Sequence, residues 1–219
     1  MSLDIQICKA SEAVNLVTLK EREQMPFHAV ISIEHLCDEQ TPVEEGRAPR
    51  LAEIIGREWQ ESALPSNAFP AEDLTRKWKD RQLILECNDA PGPEFGIAMP
   101  DPQIVYDSIA HAKRWWPEEG DFRLLIHCHQ GISRSPAIAL VLMRYFRGPG
   151  TEQQCLDDLL KLRPPAMPNA TIIEHGDRIL GCDGELIRVF QEAPCLAEGH
   201  KRRLLARQRR LAQGGAPAG

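Results

Sequence analysis

Residues 122–136 constrain this chain more tightly than any other stretch. Phe122 to Ile126 is a run, apolar apart from Arg123, of the kind a central strand buried on both faces requires. It leads directly into the nine residues His127-Cys128-His129-Gln130-Gly131-Ile132-Ser133-Arg134-Ser135. Pro136 then opens a strongly apolar segment, Ala137 to Phe146, with proline in the first turn where a helix tolerates it best. A buried strand, a short loop holding a glycine and small polar residues, and a helix predict an open α/β sheet. In such sheets the ligand site lies at the carboxyl ends of the strands.

The remainder of the chain is compatible with that prediction. Residues 3–8 alternate as an edge strand, and Ser11 to Lys20 has the pattern of a short helix. Residues 28–33 and 81–86 have strand composition. Residues 38–50 and 88–100 hold the Pro, Gly and Asp of surface loops, and 50–60 has helical spacing before a looser stretch with Pro65 and Pro70. Asp101-Pro102 starts a helix through Ile104, Ile109, Ala112 and Trp115 that Pro117 ends. Thr151 and Gln154 form a capping box for a helix to Leu162, and 169–180 predicts another. Strands alternating with helices and finishing in a helical run predict a single α/β domain with a central, mainly parallel sheet flanked by helices. Its expected extent is 1–196, with 197–219 as a basic, flexible tail.

Charge and cysteine usage narrow the functional classes. Six basic residues (Lys201, Arg202, Arg203, Arg207, Arg209, Arg210) follow His200 without an acid. Removing them from the overall charge of −6 leaves −12 on residues 1–199, which disfavours binding to nucleic acid or an anionic membrane through the body of the protein. No apolar run is long enough to span a bilayer, and residues 1–10 lack a secretory layout, so a cytoplasmic protein is expected. Seven cysteines with no close CxxC pair fit neither a disulfide framework nor a zinc ribbon. The question is which of them is reactive.

Cys128 is the candidate, because its surroundings have the right chemistry. Residues His129, Gln130, Gly131, Ile132 and Ser133 can curl with their backbone N–H groups inward, forming an anion nest beside a helix N-terminus. Arg134 can grip two phosphate oxygens in a bidentate fork. The same positive environment lowers the thiol pKa and makes Cys128 a nucleophile toward phosphorus. Ser135 can hydrogen-bond the sulfur when it leaves as thiolate. His127 can hold the loop and tune the sulfur, pointing away from substrate because neighbours on a strand alternate faces.

This arrangement resembles the protein tyrosine phosphatase superfamily, whose signature is His-Cys, five residues, Arg, then Ser or Thr. It looks most like the dual-specificity and related small phosphatases. The resemblance is specific over about residues 81–180. It implies a phosphocysteine intermediate, no metal or other cofactor, and an aspartic acid on a separate loop as general acid. Asp89, in Glu86-Cys87-Asn88-Asp89-Ala90-Pro91, matches that acid. Asn169 resembles the family asparagine that braces the catalytic loop. The implied substrate is phosphotyrosine in proteins, with phosphoserine and phosphothreonine also open; the oligomeric state is not implied. No lysine occurs at residues 129–133, where phosphoinositide phosphatases usually carry added charge, and no phosphotyrosine-recognition loop of the large phosphatases is found.

Each assignment has a rival. Asp89 could be a turn residue; Asp101 is the nearest alternative acid, although helix capping is its commoner job, and Asp121 reads as a turn residue. His127-Cys128-His129 lacks the spacing of a metal site. Cys87 reads as a packed strand cysteine, the alternative being a protective disulfide with an oxidised Cys128. Trp115-Trp116 reads as helix packing and rim, and Lys201 to Arg210 as a solvated helix rather than a docking face. The competing functions are a phosphoinositide or small-ester phosphatase, a rhodanese-like sulfurtransferase and a phosphate-binding pseudophosphatase. Asp89 and Ser135 count against sulfur transfer, and the presence of both Cys128 and Arg134 counts against a pure binder.

Overall fold

The structure is a computed structural model that describes residues 2–23, 25–34, 78–89 and 98–196. The loop expected at 38–50, the helix at 50–60, most of the loop at 88–100 and the basic tail lie outside the described residues. In chain order the elements are β1 (Leu3–Lys9), α1 (Ala10–Arg22), β2 (Ala29–Glu34), β3 (Gln82–Glu86), α2 (Gln103–Arg114), β4 (Phe122–Cys128), α3 (Arg134–Arg147), α4 (Glu152–Leu162), α5 (Ala170–Leu180) and α6 (Glu185–Glu192). The four strands form one sheet in the order β1-β4-β2-β3, and every pairing is parallel. This is the expected architecture, with β1 on an edge as its alternation suggested.

Why β4 is so largely apolar, with Leu124, Leu125 and Ile126 in succession, is explained by its place between β1 and β2. Phe122, Leu124, Ile126 and Cys128 face the larger core, built with residues of α2, α3, α5 and α6. Leu125 faces the other way, packing with Cys8, Val30, Ala13, Val17, Phe27 and Trp78 beneath α1. A strand covered on both faces has no solvated side to mark with polar residues. α3 follows it into the interior, and all eleven residues from Arg134 to Arg144 are buried.

Helix packing depends on one close approach. A Cβ at Gly176 on α5 would lie 2.3 Å from Cγ2 of Val141 on α3, so only glycine lets these two helices meet at this distance. A buried ion pair between Arg144 of α3 and Glu152 of α4 ties the next helix to the same hub. Trp116 stacks on Phe146 at 4.2 Å between ring centres and lies 4.9 Å from Phe122. Trp115 is covered by the guanidinium groups of Arg81 and Arg114. The paired tryptophans therefore pack as expected.

One local expectation is corrected. Thr151 does not cap α4 in a capping box: its hydroxyl donates to the Gly148 carbonyl at 2.8 Å, and no side chain caps that helix. Helix α6 was not foreseen, although Leu186, Val189 and Phe190 recur at helical spacing, and its start is capped from a distance. Asp177, on the preceding helix, accepts from the backbone N–H groups of Gly184 and Leu186, both at 2.9 Å. Among the described residues no helix is long and apolar enough to cross a membrane.

Candidate active site

Cys128 ends β4 and is buried, and the loop after it turns immediately into α3. What shapes the loop is the fate of its carbonyl groups. The His129 carbonyl accepts from Ala10 N at 3.3 Å, that of Ile132 from Met167 N at 2.7 Å, and that of Ser133 from Asn169 N at 3.2 Å. The two between are taken by one side chain: Arg163 Nη2 donates to the Gln130 carbonyl at 3.3 Å and Nε to that of Gly131 at 3.0 Å. All five carbonyls are thus drawn outward. On the other side of the loop the backbone N–H groups of Gly131 and Ser135 act on the Cys128 sulfur. The loop backbone is thereby held from outside at five consecutive carbonyls.

Gly131 is the residue this curl cannot do without. Its φ is +66°, and an added Cβ would lie 2.5 Å from the Cys8 carbonyl oxygen at the end of β1. The left-handed conformation and the contact with backbone exclude a side chain independently.

Arg134 is buried and is held by one nitrogen. Its Nη1 donates to the carbonyls of Glu34 at 2.9 Å and Cys87 at 2.7 Å, at the carboxyl ends of β2 and β3. Its Nε is buried without a partner among the described residues. Ser135 Oγ donates to Cys128 Sγ at 3.2 Å, as its position after the arginine suggested.

These contacts separate Cys128 from the other thiols. Burial works against a thiolate at Cys128, but the Arg134 charge, the Ser135 hydroxyl and the backbone N–H groups of Ser135 and Gly131 outweigh it and lower the pKa. Cys8 and Cys87 are pushed up to about 12, burial being the main cause in both. Cys155 and Cys182 are also raised by burial. Among the described residues Cys128 is the one cysteine whose thiol is shifted toward reactivity.

His127 departs from the role expected of it. Its Nε2 meets Ser32 Oγ on β2 at 2.7 Å, not the loop, and Ser32 Oγ accepts from Gln82 Nε2 at 2.7 Å. Nδ1 has no partner among the described residues. Burial pushes the imidazole down to about 4, so it is uncharged at neutral pH. As expected, the ring sits on the face of β4 away from Cys128.

Asp89 lies beside the loop. Its Oδ1 accepts from Ser133 Oγ at 2.5 Å and from Asn169 Nδ2 at 3.0 Å. Asn169 braces the loop through its backbone, as given above, while its side chain turns to Asp89 and its Oδ1 caps α5 by accepting from Ile172 N. Asp101 is occupied as a cap, accepting from Gln103 N at 2.7 Å, and Asp121 accepts from the backbone N–H and hydroxyl of Ser2. His129 and Gln130 are exposed at the mouth of the loop. Arg163, Ser32 and Gln82 carry no role in the sequence reading. All three act across gaps of more than thirty residues, where local pattern carries no signal.

No family model and no curated protein matches the chain. Solved structures similar to it include DUSP15, at 16% identity with a TM-score of 0.45, the match covering 86% of this chain and 91% of that one. Another is Tk-PTP in its active form, at 13% identity with a TM-score of 0.44, covering 83% and 92% respectively.

Proposed function

We propose that this chain is a cysteine-dependent phosphatase that hydrolyses phosphate monoesters through a phosphocysteine intermediate, without metal or other cofactor. The observation that supports this is a loop held open from outside at five carbonyls, with the N–H groups of Gly131 and Ser135, the Ser135 hydroxyl and Arg134 acting together on a thiol of lowered pKa. Such a site stabilises a trigonal arrangement of negatively charged oxygens next to a nucleophile. Cys128 attacks phosphorus, and the loop N–H groups and Arg134 hold the oxygens through the transition state. Asp89 protonates the leaving oxygen. In the second step its carboxylate takes a proton from water, which displaces the phosphoryl group from sulfur, and Ser135 donates to the departing thiolate.

The substrate class proposed is protein phosphotyrosine, with phosphoserine and phosphothreonine as further protein substrates, in the cytoplasm. Residues 1–196 would form the catalytic domain and 197–219 a basic tail. The test is hydrolysis of p-nitrophenyl phosphate alongside phosphotyrosine, phosphothreonine and phosphoinositide substrates, with thiosulfate-to-cyanide sulfur transfer as the control. Wild type should hydrolyse the aryl phosphate, Cys128→Ser should not, and Asp89→Asn should lower kcat about 100-fold. Sulfur transfer without phosphate release would identify a sulfurtransferase, and phosphopeptide binding without turnover a binding protein.

A further inference from the structure

Asp89 is joined to the catalytic loop by two hydrogen bonds that come from two different segments. Ser133, one residue before Arg134, donates its hydroxyl at 2.5 Å, and Asn169, the cap of α5, donates its amide at 3.0 Å. Both donors belong to buried residues whose carbonyl oxygens are engaged elsewhere. The Ser133 carbonyl accepts from Ala137 N and Asn169 N, and Asn169 Oδ1 accepts from Ile172 N. With their backbones fixed in this way, the hydroxyl and the amide converge on the same oxygen of Asp89.

We propose that Ser133 and Asn169 are positioning residues for the general acid. They hold the Asp89 carboxyl against the catalytic loop, so that the geometry that cradles phosphate also aims the proton. This rests on Asp89 being the acid, as proposed above. A carboxyl at the end of a turn can rotate about two side-chain torsions and is correctly aimed for only part of the time. Two donors on one of its oxygens fix the orientation before substrate arrives, which is where the rate gain from preorganisation originates. Neither side chain has to touch the substrate to do this.

The signature of such a role is selective. A good leaving group such as p-nitrophenolate departs with little proton transfer, whereas phenolate and alkoxide need it. Misaiming the acid therefore slows poor leaving groups more than good ones. Loosening the loop itself slows both alike.

The experiment measures kcat/KM for aryl phosphates with leaving phenols graded from p-nitrophenol to phenol, for wild type, Ser133→Ala, Asn169→Ser, Asp89→Asn and the Asp89→Asn/Ser133→Ala pair. Serine at 169 retains an acceptor that can cap α5. Relative to p-nitrophenyl phosphate, phenyl phosphate should lose about 100-fold in Asp89→Asn and about 10-fold in Ser133→Ala and Asn169→Ser. The pair should show no steeper dependence on the leaving group than Asp89→Asn alone. A uniform loss across the series in Ser133→Ala and Asn169→Ser, with the wild-type slope retained, overturns the positioning role and leaves Asp89 as the acid. A wild-type slope in Asp89→Asn overturns the acid assignment, and this inference with it.

Discussion

Cys128 and Cys87 are both buried on strands or strand ends of one parallel sheet, and Arg134 acts on both, yet their thiols move in opposite directions. Burial raises each. At Cys128 the Ser135 hydroxyl and two backbone N–H groups add to the arginine and reverse the sign; at Cys87 they are absent from the causes. Alkylation by iodoacetamide below the ordinary thiol range should therefore modify Cys128 ahead of Cys8 and Cys87. In Arg134→Met the pH dependence of that reaction should move to higher pH. Mass spectrometry of the digested protein reads both, and first labelling at Cys8 or Cys87 would contradict the assignment. His127 gives a stability prediction. Its folded pKa of about 4 lies below the ordinary value of 6.5, so the unfolded chain binds the proton first as pH falls. Stability is then full above the unfolded value and declines from there down to the folded one, by up to about 3 kcal/mol. Urea midpoints at about pH 7.5 and about pH 5 should differ in wild type, and differ less in His127→Gln. Cys128, Arg134 and Ser135 were legible in the sequence because their spacing is local. Ser32, which orients His127, was not, because it reaches the ring from β2.

At the scale of elements, the catalytic loop is shaped from outside. The start of α1 and the segment before α5 take three of its carbonyls with backbone N–H groups, and the Arg163 side chain takes two. Arg163→Met should therefore release two peptide planes, raise the inhibition constant for inorganic phosphate and lower kcat/KM about 10-fold or more. Circular dichroism should show the fold intact. Unchanged phosphate inhibition would mean that the loop holds its curl without the guanidinium. The same remoteness explains the errors made from sequence. Thr151 has the residue type of a cap, but Gly148 offers its hydroxyl a nearer acceptor. Helix α6 takes its side-chain cap from Asp177 near the end of α5, a contact that local pattern does not show. Elements whose apolar periodicity runs long, such as α3, β4 and α5, were legible within a residue or two.

Over the whole molecule, class and location of the site followed from sequence while strand order did not. An apolar β4 says that the strand is covered on both faces; it does not say that β1 and β2 are its neighbours. That order is set by crossover connections and by which helices fill each face, and both are global properties. The α3–α5 contact is one such property. Gly176→Ala should destabilise by about 1–3 kcal/mol, because Val141 must give way, while activity per folded molecule persists. Chemical denaturation with parallel activity assays separates these two effects. The central claim concerns what the assembled site does, which is to move a phosphoryl group onto one sulfur and then to water. Asp89→Asn slows both acid and base steps, so acid quench of that variant during turnover of p-nitrophenyl phosphate offers the best chance of capturing the intermediate. The peptide containing Cys128 should carry the mass of one phosphoryl group, and the same peptide from Cys128→Ser should not. Turnover by the wild type with no phosphate ever found on Cys128, or with phosphate on another residue, would contradict the account.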